Sequence, residues 1–308
     1  MELDTQSLNG LHADVIDTES SLKQFSDLLD QCFTVPQGMR YLHDFPVWDA
    51  DFGVAPLIRI GVFQNQTLLA TTAVRIANIK TQEDSHLRAA LVGAVATRPE
   101  WRGRGLASKT VAFAIEWAKE RDAQAALLWS SNSELYQRLG FEYCEQQMNI
   151  PLSKIQFPDS IVQARNQPKI YVGWHPQLFK LIQQRSGGLV LEDKDRHWFG
   201  AHRNVDWYYV GTADHPKAYA ACGRGIDLKN TIHEWGGEKE GLLYLLSHLK
   251  ASLPSAYLLS SPAHMEELIH TWGCEVAFGE TEPLCMAKNL VADSPLTQQF
   301  WVWGLDAS

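Results

Sequence analysis

Residues 89–105, A-A-L-V-G-A-V-A-T-R-P-E-W-R-G-R-G, and the stretch after them constrain the chain most. The apolar run 89–96 has no helical spacing and ends in turn residues, so it predicts a buried strand. Pro99 cannot continue a ladder and closes it. From residue 106 to 122 the period changes. Leu106, Val111, Ala114, Ile115 and Ala118 fall on one face, with Lys109, Glu116, Lys119 and Glu120 on the other, the pattern of an amphipathic helix. A strand, a basic glycine turn and a helix in this order aim turn amides and a helix N-terminus into one space. Anions bind there, because unpaired N–H groups and the positive end of the macrodipole converge. Gly103 and Gly105 remove Cβ atoms from the approach. Arg102 and Arg104 add charge and forked donors, and the first helical amides, those of Leu106, Ala107 and Ser108, complete the candidate cradle.

The spacing excludes two phosphate motifs. A dinucleotide fingerprint would need glycine where Ser108 stands, and no Gly-Lys-Ser/Thr is present for a Walker loop. Arg102-x-x-Gly105-x-Ala107 instead resembles the (Gln/Arg)-x-x-Gly-x-(Gly/Ala) signature of the GNAT superfamily of N-acetyltransferases. Residues 131–143, S-N-S-E-L-Y-Q-R-L-G-F-E-Y, resemble its second signature, a Tyr ahead of a Gly-Phe pair. The resemblance implies an α/β (α+β) fold: a mixed, mostly antiparallel twisted sheet flanked by helices. Its central strand is bulged and splays from a parallel neighbour. It also implies acetyl-CoA as co-substrate, lying along Val95, Ala96 and Thr97, with direct transfer to a primary amine. Tyr136 matches the family Tyr that protonates the leaving sulfur. Ser131 and Asn132, where the parallel strand at 125–131 ends, join the expected cofactor-binding set. The bland alternative for Tyr136 is a ring packing its own helix. A CoA-binding sensor or scaffold without turnover, and a transferase of longer acyl groups, are the competing readings of function.

The first half also predicts a hairpin, 57–63 and 67–77, turning at residues 64–66. A helix after residue 20 is expected, with Ser20 or Ser21 as N-cap. The segment 34–56 is aromatic and acidic. Asp44, Asp49 and Asp51 beside Tyr41, Phe45, Trp48 and Phe52 suit an ammonium group, or else a lid packed by its own rings. No general base stands out; His43, Asp44, Asp49 and the C-terminus are candidates.

The second half repeats the order hairpin, strand, glycine turn, helix, strand. Tandem domains are therefore expected: a catalytic domain 1–151, a Pro-punctuated linker 152–168, and a degenerate copy 169–308 with an aromatic tail. This arrangement is similar to the Eis-type acetyltransferases, without room for their sterol-carrier-like third domain. E-W-G-G-E-K-E-G stands where the first copy has R-G-R-G, so the second copy is expected to bind no CoA. The tail, ending W-V-W-G-L-D-A-S, either packs or brings Asp306 or the terminal carboxylate near the site.

The net charge of −9 and the lack of a basic stripe argue against a nucleic-acid partner and suit a cationic substrate. No apolar run reaches the ~18 residues of a membrane span. The five cysteines show no C-x-x-C, which predicts reduced thiols in a cytoplasmic protein. No histidine spacing predicts a metal site. A homodimer is left open.

Overall fold

In the computed structural model the described residues are 10–81, 85–144, 147–163, 167–277, 280–282, 285–291 and 300–307. The chain opens with β1 (Leu11–Val15), α1 (Glu19–Cys32) and α2 (Tyr41–Asp44). Three strands follow, β2 (Leu57–Gln64), β3 (Thr67–Lys80) and β4 (His86–Thr97), then α3 (Leu106–Lys119), β5 (Ala125–Trp129), α4 (Ser133–Gln137) and β6 (Glu142–Tyr143). Next come β7 (Gln147–Pro151), β8 (Ile155–Gln156), α5 (Asp159–Val162), β9 (Ile170–Val172), α6 (Leu178–Gln184) and α7 (Arg196–Phe199). The remainder is β10 (Asp206–Gly211), β11 (Pro216–Arg224), β12 (Asp227–Gly237), α8 (Lys239–Ser252), β13 (Tyr257–Ser260), α9 (Pro262–Glu266), β14 (Glu275–Val276), β15 (Glu280–Glu282) and β16 (Cys285–Asn289).

The chain divides into two compact units. Unit 1 is Met1–Cys144 with Cys285–Gln299 and Ala307–Ser308, and unit 2 is Glu145–Leu284 with Phe300–Asp306. Each has a seven-stranded mixed sheet, in the order β1-β2-β3-β4-β5-β16-β6 and β15-β7-β13-β12-β11-β10-β9. Among the described residues each contains one parallel pairing, β4 with β5 and β12 with β13. In unit 1, α3 lays Val111, Ala114, Ile115 and Ala118 on Ile60, Val74, Val92 and Leu128 of the sheet. The hairpin turn is as expected, with Asn65 and Gln66 both at positive φ, as a two-residue type I′ loop requires.

Several local expectations change. Thr18, not Ser20 or Ser21, caps α1. Its hydroxyl accepts from the Ser21 N–H, and Ser21 Oγ accepts from the Thr18 N–H, a reciprocal box that satisfies two helix-end donors together. A single strand over 141–150, which the apolar and aromatic residues there suggest, does not form. The stretch divides into β6 and β7, and β7 pairs with β13 and β15 in the sheet of unit 2. β16, from the second half of the chain, lies between β5 and β6 in the sheet of unit 1. The expected boundary at 151 thus falls beside a strand of unit 2. The stretch 152–168 holds a 3₁₀ turn, β8 and α5.

Unit 2 buries an unusual amount of charge. Arg185, Glu234 and Asp306 have side chains at most 1 % exposed. Arg185 donates to Glu234 Oε2 and to Asp306 Oδ1 at 2.5 Å. The tail is therefore seated in unit 2, with Trp301 and Trp303 in its core. Asp306 is bound to a guanidinium there, and Ser308 lies outside the described residues. Three imidazoles are also buried. Desolvation lowers His202 to about 3 and His233 and His264 to about 4. The unfolded residues titrate near 6.5, so below that pH the unfolded chain binds more protons. Stability present above pH 6.5 is then lost as pH falls toward 4. Glu234, raised by burial against the pull of Arg185, works in the opposite sense but is one group against three. Thermal melts from pH 7 to pH 5 should show unit 2 losing on the order of a few kcal/mol; a flat melting temperature over that range would contradict the buried neutral histidines.

Candidate functional site

The site is built on the central strand of unit 1. β4 pairs in parallel with β5 through Ala89↔Ala125, Ala90↔Ala126 and Leu91↔Leu127. Past Leu91 that pairing stops, although β4 continues to Thr97 against β3. The register with β3 shifts between Thr71 and Ala73, and Ala94 has φ +51°. Two residues of β4 there oppose one of β3, which is a β-bulge. The bulged strand and β5 therefore part company just where Val95, Ala96 and Thr97 run. Thr97 ends the strand, and its carbonyl accepts from Cys32 Sγ and Arg102 Nε, both at 3.3 Å. Its hydroxyl is buried without a hydrogen-bond partner.

A 3₁₀ turn at Pro99–Trp101 leads to the glycine loop. Gly103 (φ +73°) and Gly105 (φ +74°) occupy the left-handed region, and a Cβ on either would meet nothing within 4 Å. Both glycines thus border open space. Gly105 is the N-cap of α3 and supplies no side chain to it. The first helical bond runs from the Lys109 N–H to the Gly105 carbonyl, so the amides of Leu106, Ala107 and Ser108 lie ahead of the helical ladder. Leu106 turns its side chain inward, while Arg102 and Arg104 are exposed. The Arg104 guanidinium stacks 4.5 Å over the Trp101 ring, which holds the cation beside the turn.

β5 is parallel to β4, so it ends at the same edge of the sheet. Ser131 and Asn132 follow it, both exposed, and the Asn132 N–H donates to Ser130 Oγ at 3.0 Å. Tyr136 on α4 is 7 % exposed and meets Phe141 edge-on at 6.1 Å. Gly140, just past this short helix, is in the left-handed conformation (φ +81°) that favours glycine. The Tyr136 hydroxyl bonds to the Ser130 side chain. Burial raises its pKa above the phenol value, and the Ser130 bond draws it partly back. Ser130 escaped the sequence reading although it adjoins Ser131 and Asn132; the signal available was a third hydroxyl-bearing or amide residue at the strand end.

The segment 34–56 holds α2 and two 3₁₀ turns, and several of its rings are buried. Tyr41, Phe45 and Trp48 are buried, and Tyr41 stacks on Phe45 at 4.4 Å. Asp44 is fully buried with them. Asp49 caps a 3₁₀ turn through the Asp51 N–H, and its charge opposes the lowering of Arg59 by burial. Of the four rings expected around an ammonium group, Tyr41 and Phe45 are thus engaged with each other, and Phe52 is half-buried.

Unit 2 repeats the geometry around its own central strand. β12 pairs in parallel with β13 at Thr231↔Tyr257 and Ile232↔Leu258. Against β11 its register shifts between Ala221 and Cys222, opposite His233. But the Gly304 N–H of the tail donates to the His233 carbonyl at 3.3 Å, and the Leu305 N–H to Glu234 Oε1. No loop corresponding to residues 102–105 precedes α8. Gly237 abuts the Lys217 and Ala218 backbone, Glu238 is the N-cap, and Glu240 sits in the first turn.

Comparison with known proteins agrees with this geometry. Residues 17–144 match the family model described as Acetyltransferase (GNAT) domain. A search of curated proteins finds no match. Among solved structures, a GCN5-related N-acetyltransferase from Anabaena variabilis is 17 % identical, with a TM-score of 0.64, covering 91 % of this chain and 73 % of its own. Eis1 from Mycobacterium abscessus is 14 % identical at a TM-score of 0.61, covering 91 % of this chain and 74 % of that one. A protein of Pyrococcus horikoshii assigned provisionally to the acetyltransferases is 11 % identical at 0.57, covering 100 % and 99 %. At such identities the likeness is one of fold. The family model thus covers less than half of the chain, and within it residues 17–144 resemble a GNAT acetyltransferase domain.

Proposed function

We propose that this GNAT domain makes the chain an acetyl-CoA-dependent N-acetyltransferase that acts on a primary amine of a small molecule or peptide. The observation that carries the reading is the open nook at the end of β4. There a strand released from its parallel neighbour meets a loop whose two glycines border empty space and a helix start whose amides precede the ladder. The residues fit the co-substrate. An orphaned hydroxyl on Thr97 and the backbone of residues 95–97 suit an amide-bearing arm. The amides of residues 103–108 with Arg102 and Arg104 suit a pyrophosphate.

Acetyl-CoA supplies an activated thioester. The chain's own task is then to orient it, polarise its carbonyl with backbone N–H groups and hold a proton for the departing sulfur. Tyr136 is the proton holder: a buried phenol, positioned by Ser130, is neutral and able to donate at physiological pH. No nucleophilic side chain is required for direct attack by a neutral amine.

The same argument assigns unit 2 a non-catalytic part as a degenerate GNAT-like copy. Its counterpart of the nook holds the tail, and glutamates stand at the helix start. Calorimetric titration of the full chain with acetyl-CoA should give one site per chain; two sites would refute the assignment to unit 1 alone. Steady release of free thiol with a panel of amines decides for the enzyme, and saturable binding without turnover would decide for a sensor. Gly105→Val tests the nook directly. A β-branched residue at positive φ is strained, and its methyls would enter the anion's space. KM for acetyl-CoA should rise about tenfold or more; an unchanged KM would remove the loop from the binding site.

A further inference from the structure

Cys144 follows β6 and Cys285 opens β16, and these strands are antiparallel neighbours, with Met286 facing Tyr143 and Ala287 facing Glu142. The next rung sets the two cysteines opposite each other, and the Cys144 N–H donates to the Cys285 carbonyl at 3.1 Å. Hydrogen-bonded antiparallel partners hold their Cα atoms about 5.5 Å apart, within the commonest range for a disulfide. The sulfurs stand 3.5 Å apart. Cys144 is exposed, and Cys285 is 2 % exposed. One thiol therefore meets solvent and the other waits behind it, the arrangement of an attacking and a resolving cysteine.

We propose that Cys144 and Cys285 form a reversible redox site that reacts with small disulfides of the oxidised-glutathione class. The Cys144 thiolate attacks one sulfur of the glutathione disulfide. That S–S bond breaks, and one glutathione leaves as thiolate and takes up a proton. Cys285 then loses its proton to solvent and attacks Cys144 Sγ, expelling the second glutathione. Two protein thiols are oxidised, and one external disulfide is reduced to two thiols.

The location gives the bond a consequence. The chain leaves unit 1 after Cys144 and re-enters it at Cys285, so the bond would tie the two ends of the whole Glu145–Leu284 excursion. The register also sets Cys285 opposite Trp129, the residue before Ser130, which holds the Tyr136 hydroxyl. The pair thus borders the strand end on which Tyr136 depends.

The test exposes the full chain to a few millimolar oxidised glutathione, then counts thiols after denaturation and maps unreduced peptides. The expected count falls from five to three, with a single cross-link between the Cys144 and Cys285 peptides that dithiothreitol removes. Cys285→Ser should stop at one glutathione on Cys144, and Cys144→Ser should take up none at this pair. Five thiols remaining in the wild type, a cross-link between other cysteines, or glutathione persisting on wild-type Cys144 would each overturn the proposal. The wild-type map alone decides the matter if either variant fails to fold, and none of these readouts depends on acetyl transfer.

Discussion

Tyr136→Phe should lower kcat of acetyl transfer about 10²-fold at neutral pH while leaving KM for acetyl-CoA within about twofold. The phenyl ring keeps the volume that Tyr136 fills beside Phe141, so the variant should fold. It forfeits one hydrogen bond to Ser130, worth about 1 kcal/mol. What is removed is the proton that the departing sulfur needs. The direction of the pKa shift adds a second readout. Burial raises the phenol above its ordinary value, so the loss of this acid in the wild-type profile should fall at higher pH than for a free phenol. Steady-state kinetics with the best amine of the panel checks both statements. If kcat survives within about twofold, Tyr136 is a packing residue and the sulfur leaves by another route.

Arg185→Leu should destabilise unit 2 by about 3–5 kcal/mol, because a buried charge pair broken from one side leaves its partner uncompensated. Here the loss is shared by two carboxylates, on Glu234 and Asp306, neither with exposed side-chain surface. The tail should loosen with it, since the Leu189 N–H, the Arg185 fork and the Glu234 carboxylate together hold residues 305–306. Asp306→Asn should cost less, because it leaves one guanidinium facing one carboxylate. Denaturant melts followed by tryptophan fluorescence would separate the two, since Trp235, Trp301 and Trp303 pack together beside this network. Equal, small effects from both substitutions would show that the triad contributes little to stability.

Much of unit 1 was legible because its signals are local. An aperiodic apolar run marked β4, helical period marked α3, and Gly103 and Gly105 marked the turn. The motif pointed to Tyr136 and the loop. The bulge was expected only through the family resemblance, since Ala94 at positive φ carries no residue-type signal of its own, and alanine is an unusual choice there. The exchange of partners by β7 and β16 was hidden. A strand's pattern states which face is apolar, not which neighbour it bonds, and nothing near residue 145 punctuates the chain with glycine or proline. The buried Arg185 triad joins residues far apart in sequence, and isolated Arg, Glu and Asp read as surface residues until their partners are known.

That exchange bears on how such a tandem protein can be inherited. A duplicated gene yields two copies that in principle could be excised, shuffled or lost one at a time. Here β16, encoded near the end, bonds to β5, encoded before the midpoint, while β7, encoded with the first copy, bonds to β13 of the second. Cutting the gene between the copies would strip each product of an interior strand and leave a raw sheet border open to self-association. Each unit is thereby bound to retain the other, because each completes its sheet with a strand that lies on the far side of that cut.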